Sequence, residues 1–479
     1  MFRTRALSPL ELVSALLERI EHLDGSVNAF LFVDRDGALE RARLAEREMG
    51  AGQWRGPMHG IPVAVKDMID VGGLPTTCHS AILSANIASK DADVIARLRQ
   101  AGAIILGKTA LHEFATGGPT NDLPWPPARN PWNYSLHPGG SSSGSAAAVI
   151  AGFVPAALGT DTGGSIRNPA TCCGLVGLKP TYDLVSRNGV FPLAFSLDHV
   201  GPITRSAADA AIVLGSIGGG RDGTLSGSSA TKPASPVREP QAGIEGVRIG
   251  VVEHFYMEDS SADPQMIGGL DAAVDVLRGL GATVEAVRLS PLSVWAGCGR
   301  VIQQAEQYVV HEQWLRTRPQ DYCHASRMKL VAGAFLSAHE YIQALQLRRM
   351  LCDEFSRLMS RLDVIVTLSS FDFPCPLDDK AAISSTYGRH ARMPFNVTGT
   401  PAMAIPVGFS DVGLPLGIQI AGKAYDEGML IRIAKAYEQA TRWAARRPGP
   451  LDRSHGREGG PILFRGSGAA TASDASRVQ

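Results

Sequence analysis

Cysteine is scarce and unpatterned. The chain has seven in 479 residues, an odd number with no Cys-x-x-Cys, and Cys172 and Cys173 are adjacent. A disulfide framework and the usual zinc or redox spacings are therefore excluded. Metal-binding histidine spacing is missing too: Leu111-His112-Glu113-Phe114-Ala115 has no second histidine four residues on. No run of eighteen apolar residues occurs, and the opening residues carry Arg3 and Arg5 without an apolar stretch of signal-peptide length. The expectation is a cytoplasmic protein with no membrane partner. Neither sign of charge is in excess, with 46 Lys and Arg against 46 Asp and Glu, so nothing predicts a nucleic-acid partner.

Glycine and serine, by contrast, crowd one stretch. It opens Pro138-Gly139-Gly140-Ser141-Ser142-Ser143-Gly144-Ser145 and runs into the Ala-rich Ala146-Ala147-Ala148-Val149-Ile150, which predicts a helix. It resumes as Leu158-Gly159-Thr160-Asp161-Thr162-Gly163-Gly164-Ser165-Ile166-Arg167 and closes on Gly174-Leu175-Val176-Gly177-Leu178-Lys179-Pro180-Thr181. Two Gly-Gly-Ser corners thus flank a helical segment. Glycine lets backbone N–H groups converge on a small volume. A serine beside such amides suits acyl transfer, which needs a nucleophile next to donors for a developing oxyanion.

Other readings of this stretch are a plain turn before a buried helix, a phosphate cradle, a hydrolase elbow and half of an aspartic dyad. The phosphate cradle fails because no Gly-Lys-Ser/Thr follows Gly144. The Gly-x-Ser-x-Gly pattern centred on Ser142 needs a preceding strand, and here it follows the loop-like Asn130-Pro131-Trp132-Asn133. The tripeptide Asp161-Thr162-Gly163 has no second copy to share a proton with.

The ordered set of Gly-Gly-Ser-Ser-Ser-Gly-Ser, Gly-Thr-Asp-Thr-Gly-Gly-Ser-Ile-Arg and Gly-Leu-Lys-Pro-Thr resembles the amidase signature family of amide hydrolases. The resemblance implies a Ser–cis-Ser–Lys triad. Ser165 would be the nucleophile and Ser141 the bridging serine. The base would be Lys66, at the end of the apolar run Ile61-Pro62-Val63-Ala64-Val65. It implies an oxyanion hole from the backbone N–H groups of Thr162, Gly163, Gly164 and Ser165. Ser142, Asp161 and Arg167 take supporting places, the last two as a pair bracing the loop. Such a relay calls for no metal and no cofactor. It does demand a neutral lysine, and desolvation is what lowers a lysine pKa. Asn168 stands where a dicarboxylate-preferring member of the family has an arginine, which counts against a substrate with a free carboxylate.

The resemblance covers roughly residues 8–215 and 361–441. It implies a single α/β domain over residues 1–445, a large mixed twisted β-sheet covered by helices on both faces. The triad-bearing core spans about 56–215 and a divergent substrate-pocket region about 295–375. Ser8-Pro9-Leu10-Glu11 predicts a helix start, with the helix ending near Asp24-Gly25, and a second helix is predicted over 36–49. Residues 218–243 lack periodicity and predict a loop, and residues 446–479 predict a disordered tail. Ser326-Arg327-Met328-Lys329 fits Ser-x-x-Lys but lacks that pattern's partner motifs. The reading that follows is a serine amidohydrolase of a small-molecule carboxamide, anilide or carbamate-type bond, with a homodimer left open. Two alternatives stand beside it: the amidase subunit of a tRNA-dependent amidotransferase, and a non-catalytic binding protein on the same fold.

Overall fold

The computed structural model describes residues 1–219, 243–449 and 463–464. Its strands are β1 (Phe30–Val33), β2 (Pro62–Lys66), β3 (Ile104–Thr109), β4 (Ala156–Asp161), β5 (Val176–Lys179) and β6 (His199–Thr204). The second half adds β7 (Arg248–Val251), β8 (Thr283–Ala286), β9 (Val364–Leu368), β10 (Ala402–Phe409), β11 (Pro415–Gly422) and β12 (Leu463–Phe464). All twelve join one sheet in the order β12-β1-β3-β2-β4-β6-β5-β10-β11-β9-β7-β8. The pairing is mixed: β2 lies parallel to both β3 and β4, whereas β6 runs antiparallel to β4 and to β5. Helices cover both faces, so the fold is the expected single α/β domain.

Local chemistry explains the elements. Helix Pro9–Val27 starts on a capping box in which Ser8 Oγ accepts from Glu11 N at 3.1 Å and Glu11 Oε2 accepts from Ser8 N at 2.8 Å. Rather than stopping at Asp24-Gly25, it runs on to Val27. The buried Asp24 carboxyl then accepts from the N–H groups of Ala29 (2.8 Å) and Phe30 (3.1 Å), turning the chain into β1. Helix Arg35–Gly50 matches the predicted second helix within one residue at each end. The Ala-rich segment forms the helix Ser143–Ile150, buried along its whole length, because small side chains allow close packing against the sheet.

β2 and β4 lie side by side inside the sheet, and their residues are all buried. Their parallel register, Val65 opposite Leu158, brings the ends of the two strands side by side. In the divergent region two long helices, Leu292–Thr317 and Ala338–Met359, pack on each other. Most of the loop predicted over residues 218–243 lies outside the described residues, as does most of the tail predicted over 446–479. Leu463–Phe464, which are described, differ from a disordered tail in pairing parallel with Phe32 and Val33 of β1. Among the described residues, no helix is long and apolar enough to cross a membrane.

Candidate active site

Lys66 ends β2 and is fully buried, with no carboxylate bonded to it among the described residues. Its Nζ lies 2.8 Å from Ser141 Oγ and 2.7 Å from Thr160 Oγ1. Burial pulls its pKa down to about 7, against the weaker opposing fields of Asp161 and Asp198. A large share of the amine is therefore neutral near pH 7. A neutral amine keeps a lone pair that can accept the Ser141 proton while an N–H donates to Thr160. Thr160 Oγ1 in turn reaches Met68 Sδ at 3.2 Å.

Ser141 sits two residues ahead of the buried helix, after a cis Gly140–Ser141 peptide. Its carbonyl accepts from His112 N at 3.1 Å. The imidazole of His112 lies flush against Gly140: a Cβ there would come within 2.1 Å of the ring. His112 is buried, and its place is packing this corner.

The second corner is tied to the first by Ser142 N, which donates to the Ser165 carbonyl at 3.2 Å. Ser142 Oγ donates to Thr160 O at 3.2 Å and accepts from Thr160 N at 3.3 Å, stitching the helix start to β4. Ser165 is partly exposed, and among the described residues its hydroxyl has no hydrogen-bond partner.

Asp161 organises the loop around Ser165. Its Oδ1 lies 3.0 Å from Arg167 Nη2 and its Oδ2 3.0 Å from Arg167 Nε, with both side chains inaccessible to solvent. Asn396 Nδ2 adds a bond to Oδ1 at 2.9 Å. Burial alone would raise the Asp161 pKa, but the charge and hydrogen bonds of Arg167 outweigh it and hold the carboxyl well below the ordinary range. Arg167 also donates to Asn396 Oδ1 (2.6 Å), Gln419 Oε1 (2.9 Å) and Arg392 O (3.0 Å).

One expected oxyanion donor is corrected by this arrangement. Gly164 N donates to Asp161 Oδ1 at 2.8 Å, so that N–H is already committed to a carboxylate. The amides of Thr162, Gly163 and Ser165 have no backbone or side-chain acceptor among the described residues. Thr162 is fixed by its hydroxyl, which donates to Asp198 Oδ1 at 2.5 Å. Burial raises that carboxyl to about 6.

Of the residues quoted from the sequence, Lys66 is hydrogen-bonded to Ser141, Ser142 to the Ser165 carbonyl and Arg167 to Asp161, while Thr160, Asp198, Asn396 and Gln419 were not singled out. Thr160 stood inside a quoted motif, but its contact with Lys66 exists only once β4 lies beside β2. The Ser-x-x-Lys match is spent elsewhere. Ser326 is buried with Cys323 Sγ at 3.1 Å, and Lys329 Nζ donates to the carbonyls of Thr116 and Gly117.

Comparison with known proteins gives the family. The sequence profile of the Amidase family matches residues 11–431. The chain belongs to the amidase family, the amidase signature enzymes. It is 37% identical over 470 residues to a glutamyl-tRNA(Gln) amidotransferase subunit from Chloroflexus aggregans, covering 92% of this chain and 95% of that one. The peptide amidase of Stenotrophomonas maltophilia superposes with a TM-score of 0.80 at 33% identity, covering 94% of this chain and 96% of its own. A bacterial aryl acylamidase superposes with a TM-score of 0.82 at 25% identity, covering 92% and 96%. Membership makes the protein an enzyme of carbon–nitrogen bond hydrolysis.

Proposed function

We propose that this amidase is a serine amidohydrolase that cleaves a carboxamide, anilide or carbamate-type bond of a small molecule through an acyl-enzyme on Ser165. The observation that carries the reading is the 2.8 Å contact between Ser141 Oγ and a fully buried Lys66 whose pKa is about 7. Lys66 accepts the proton of Ser141 as Ser141 takes that of Ser165, and the Ser165 oxygen attacks the carbonyl carbon. The oxyanion is met by the amides of Thr162, Gly163 and Ser165, each such donor stabilising a transition state by about 3 kcal/mol. As the C–N bond breaks, the proton held by Lys66 returns through Ser141 to the departing nitrogen. Water then attacks the acyl–Ser165 ester, its proton following the same path to Lys66. Collapse releases the acid and restores the Ser165 hydroxyl, so no metal or organic cofactor is needed.

The test is a mass-spectrometric screen of amides, anilides, ureas and carbamates with wild type, Ser165→Ala, Lys66→Ala and Ser142→Ala. Ser165→Ala and Lys66→Ala are expected to lose at least about a thousandfold in kcat. Ser142→Ala is expected to keep most of its turnover. A dead Ser142→Ala beside a live Ser165→Ala would move the nucleophile to Ser142.

Identity with a glutamyl-tRNA(Gln) amidotransferase subunit over nearly the whole chain supports a second reading, the amidase subunit of a tRNA-dependent complex. Glutaminase activity appearing only with partner subunits, seen by gel filtration and ammonia release, would favour it. Failure of the intact triad to react with a fluorophosphonate would instead favour a binding protein that has lost turnover.

A further inference from the structure

Arg392 packs on the nucleophile corner. A Cβ placed on Gly164 would lie 2.4 Å from its Nε and 2.5 Å from its Cδ. The residue is 3% exposed. Its Nη1 is spent on Ser369 O at 2.8 Å and Ser370 Oγ at 2.6 Å. Nε is closed off from solvent with no acceptor, and Nη2 donates to nothing among the described residues.

This free edge has a filled counterpart close by. Arg167 uses its own Nε and Nη2 to grip both oxygens of Asp161. That carboxylate cannot also serve Arg392, since Gly164, Ile166 and Asn396 take its remaining capacity. A buried guanidinium normally ends on a carboxylate or phosphate, and leaving it unpaired is costly. Burial draws the Arg392 pKa down only to about 10, so the group stays charged at neutral pH. A structural brace would account for Nη1. It gives no reason to leave Nη2 open next to the residue that precedes Ser165, while Nε is covered by Gly164.

We propose that Arg392 recognises the substrate, and that the preferred substrate is an amide bearing a carboxylate a short distance from the scissile carbonyl. The carboxylate meets Nη2, the one nitrogen of the guanidinium that is neither bonded nor closed off, and the charge-assisted hydrogen bond fixes the carbonyl over Ser165. Asn168 brings no positive charge, and on that ground the sequence pointed away from an acidic substrate. The charge arrives instead from a segment 225 residues beyond Arg167.

The inference rests on the amidohydrolase reading, and one assay separates the two. Ser165 is labelled with a fluorophosphonate in the presence of malonate, succinate or glutarate, or of the corresponding neutral diamides, and the modified residue is mapped by mass spectrometry. At least one dicarboxylate is expected to protect wild type at a concentration tenfold or more below that of its diamide. Arg392→Gln is expected to abolish that preference, and Arg392→Lys to keep part of it. Equal protection by acid and diamide in wild type overturns the proposal without any variant, and so does a preference that survives Arg392→Gln. Absence of labelling at Ser165 overturns the amidohydrolase reading itself.

Discussion

Lys66 faces opposing demands, since an ammonium is stable in water whereas the proposed relay needs an amine. The fold answers by removing water and supplying only neutral partners, Ser141 and Thr160. Because a base works unprotonated, a folded-state pKa near 7 means that kcat/KM rises with pH and levels off about one unit above it. Below pH 6 the rate should fall about tenfold per unit, as Lys66 holds its proton. A profile flat from pH 5 to 9 in stopped assays would rule Lys66 out as the base. Thr160→Val removes an acceptor from Nζ and keeps the volume. Its expected effect is a loss of about tenfold in kcat with KM nearly unchanged, read from initial rates. Lys66, Ser141 and Ser165 were singled out through the family resemblance, which rests on the motifs around them. Thr160 was not, since a threonine within a strand says nothing about which strand lies beside it.

At the scale of elements, the loop around Ser165 is fixed by what approaches its glycines. Gly164 has φ +121°, a region closed to side chains, and Arg392 fills the space where a methyl would go. Gly164→Ala is therefore expected to lose both activity and about 1–3 kcal/mol of stability, checked by thermal melts beside a turnover assay. The sequence marked this corner as glycine-dependent but counted every amide in it as an oxyanion donor. Gly164 N turns inward because Asp161, three residues earlier, accepts it. Helix ends were legible where a cap wrote them, as at Ser8. Asp24-Gly25 misled because the Asp24 side chain serves the turn after the helix instead of stopping it. β1 was passed over for a similar reason, as four residues between two helices carry little periodicity of their own.

At the scale of the molecule, the ion pair beside Ser165 is held from both halves of the chain. Asp161 and Arg167 come from one side of the sequence, and Asn396 and Gln419 from the other. Asp161→Asn would leave Arg167 buried without its counter-charge. The expected cost is about 3–5 kcal/mol, seen as a lowered denaturation midpoint with unchanged slope. The overall α/β class followed from the resemblance that the family motifs carry, and the sheet order did not. Placing β10 beside β5 requires a pairing across more than two hundred residues, for which the sequence offers no local signal.

That distance has a consequence during synthesis. The ribosome releases Lys66, Ser141 and Ser165 long before Asn396, which lies 229 residues after its partner Arg167. In a growing chain Asp161 and Arg167 are therefore made long before Asn396 and Gln419, the residues from the far half that hydrogen-bond to them.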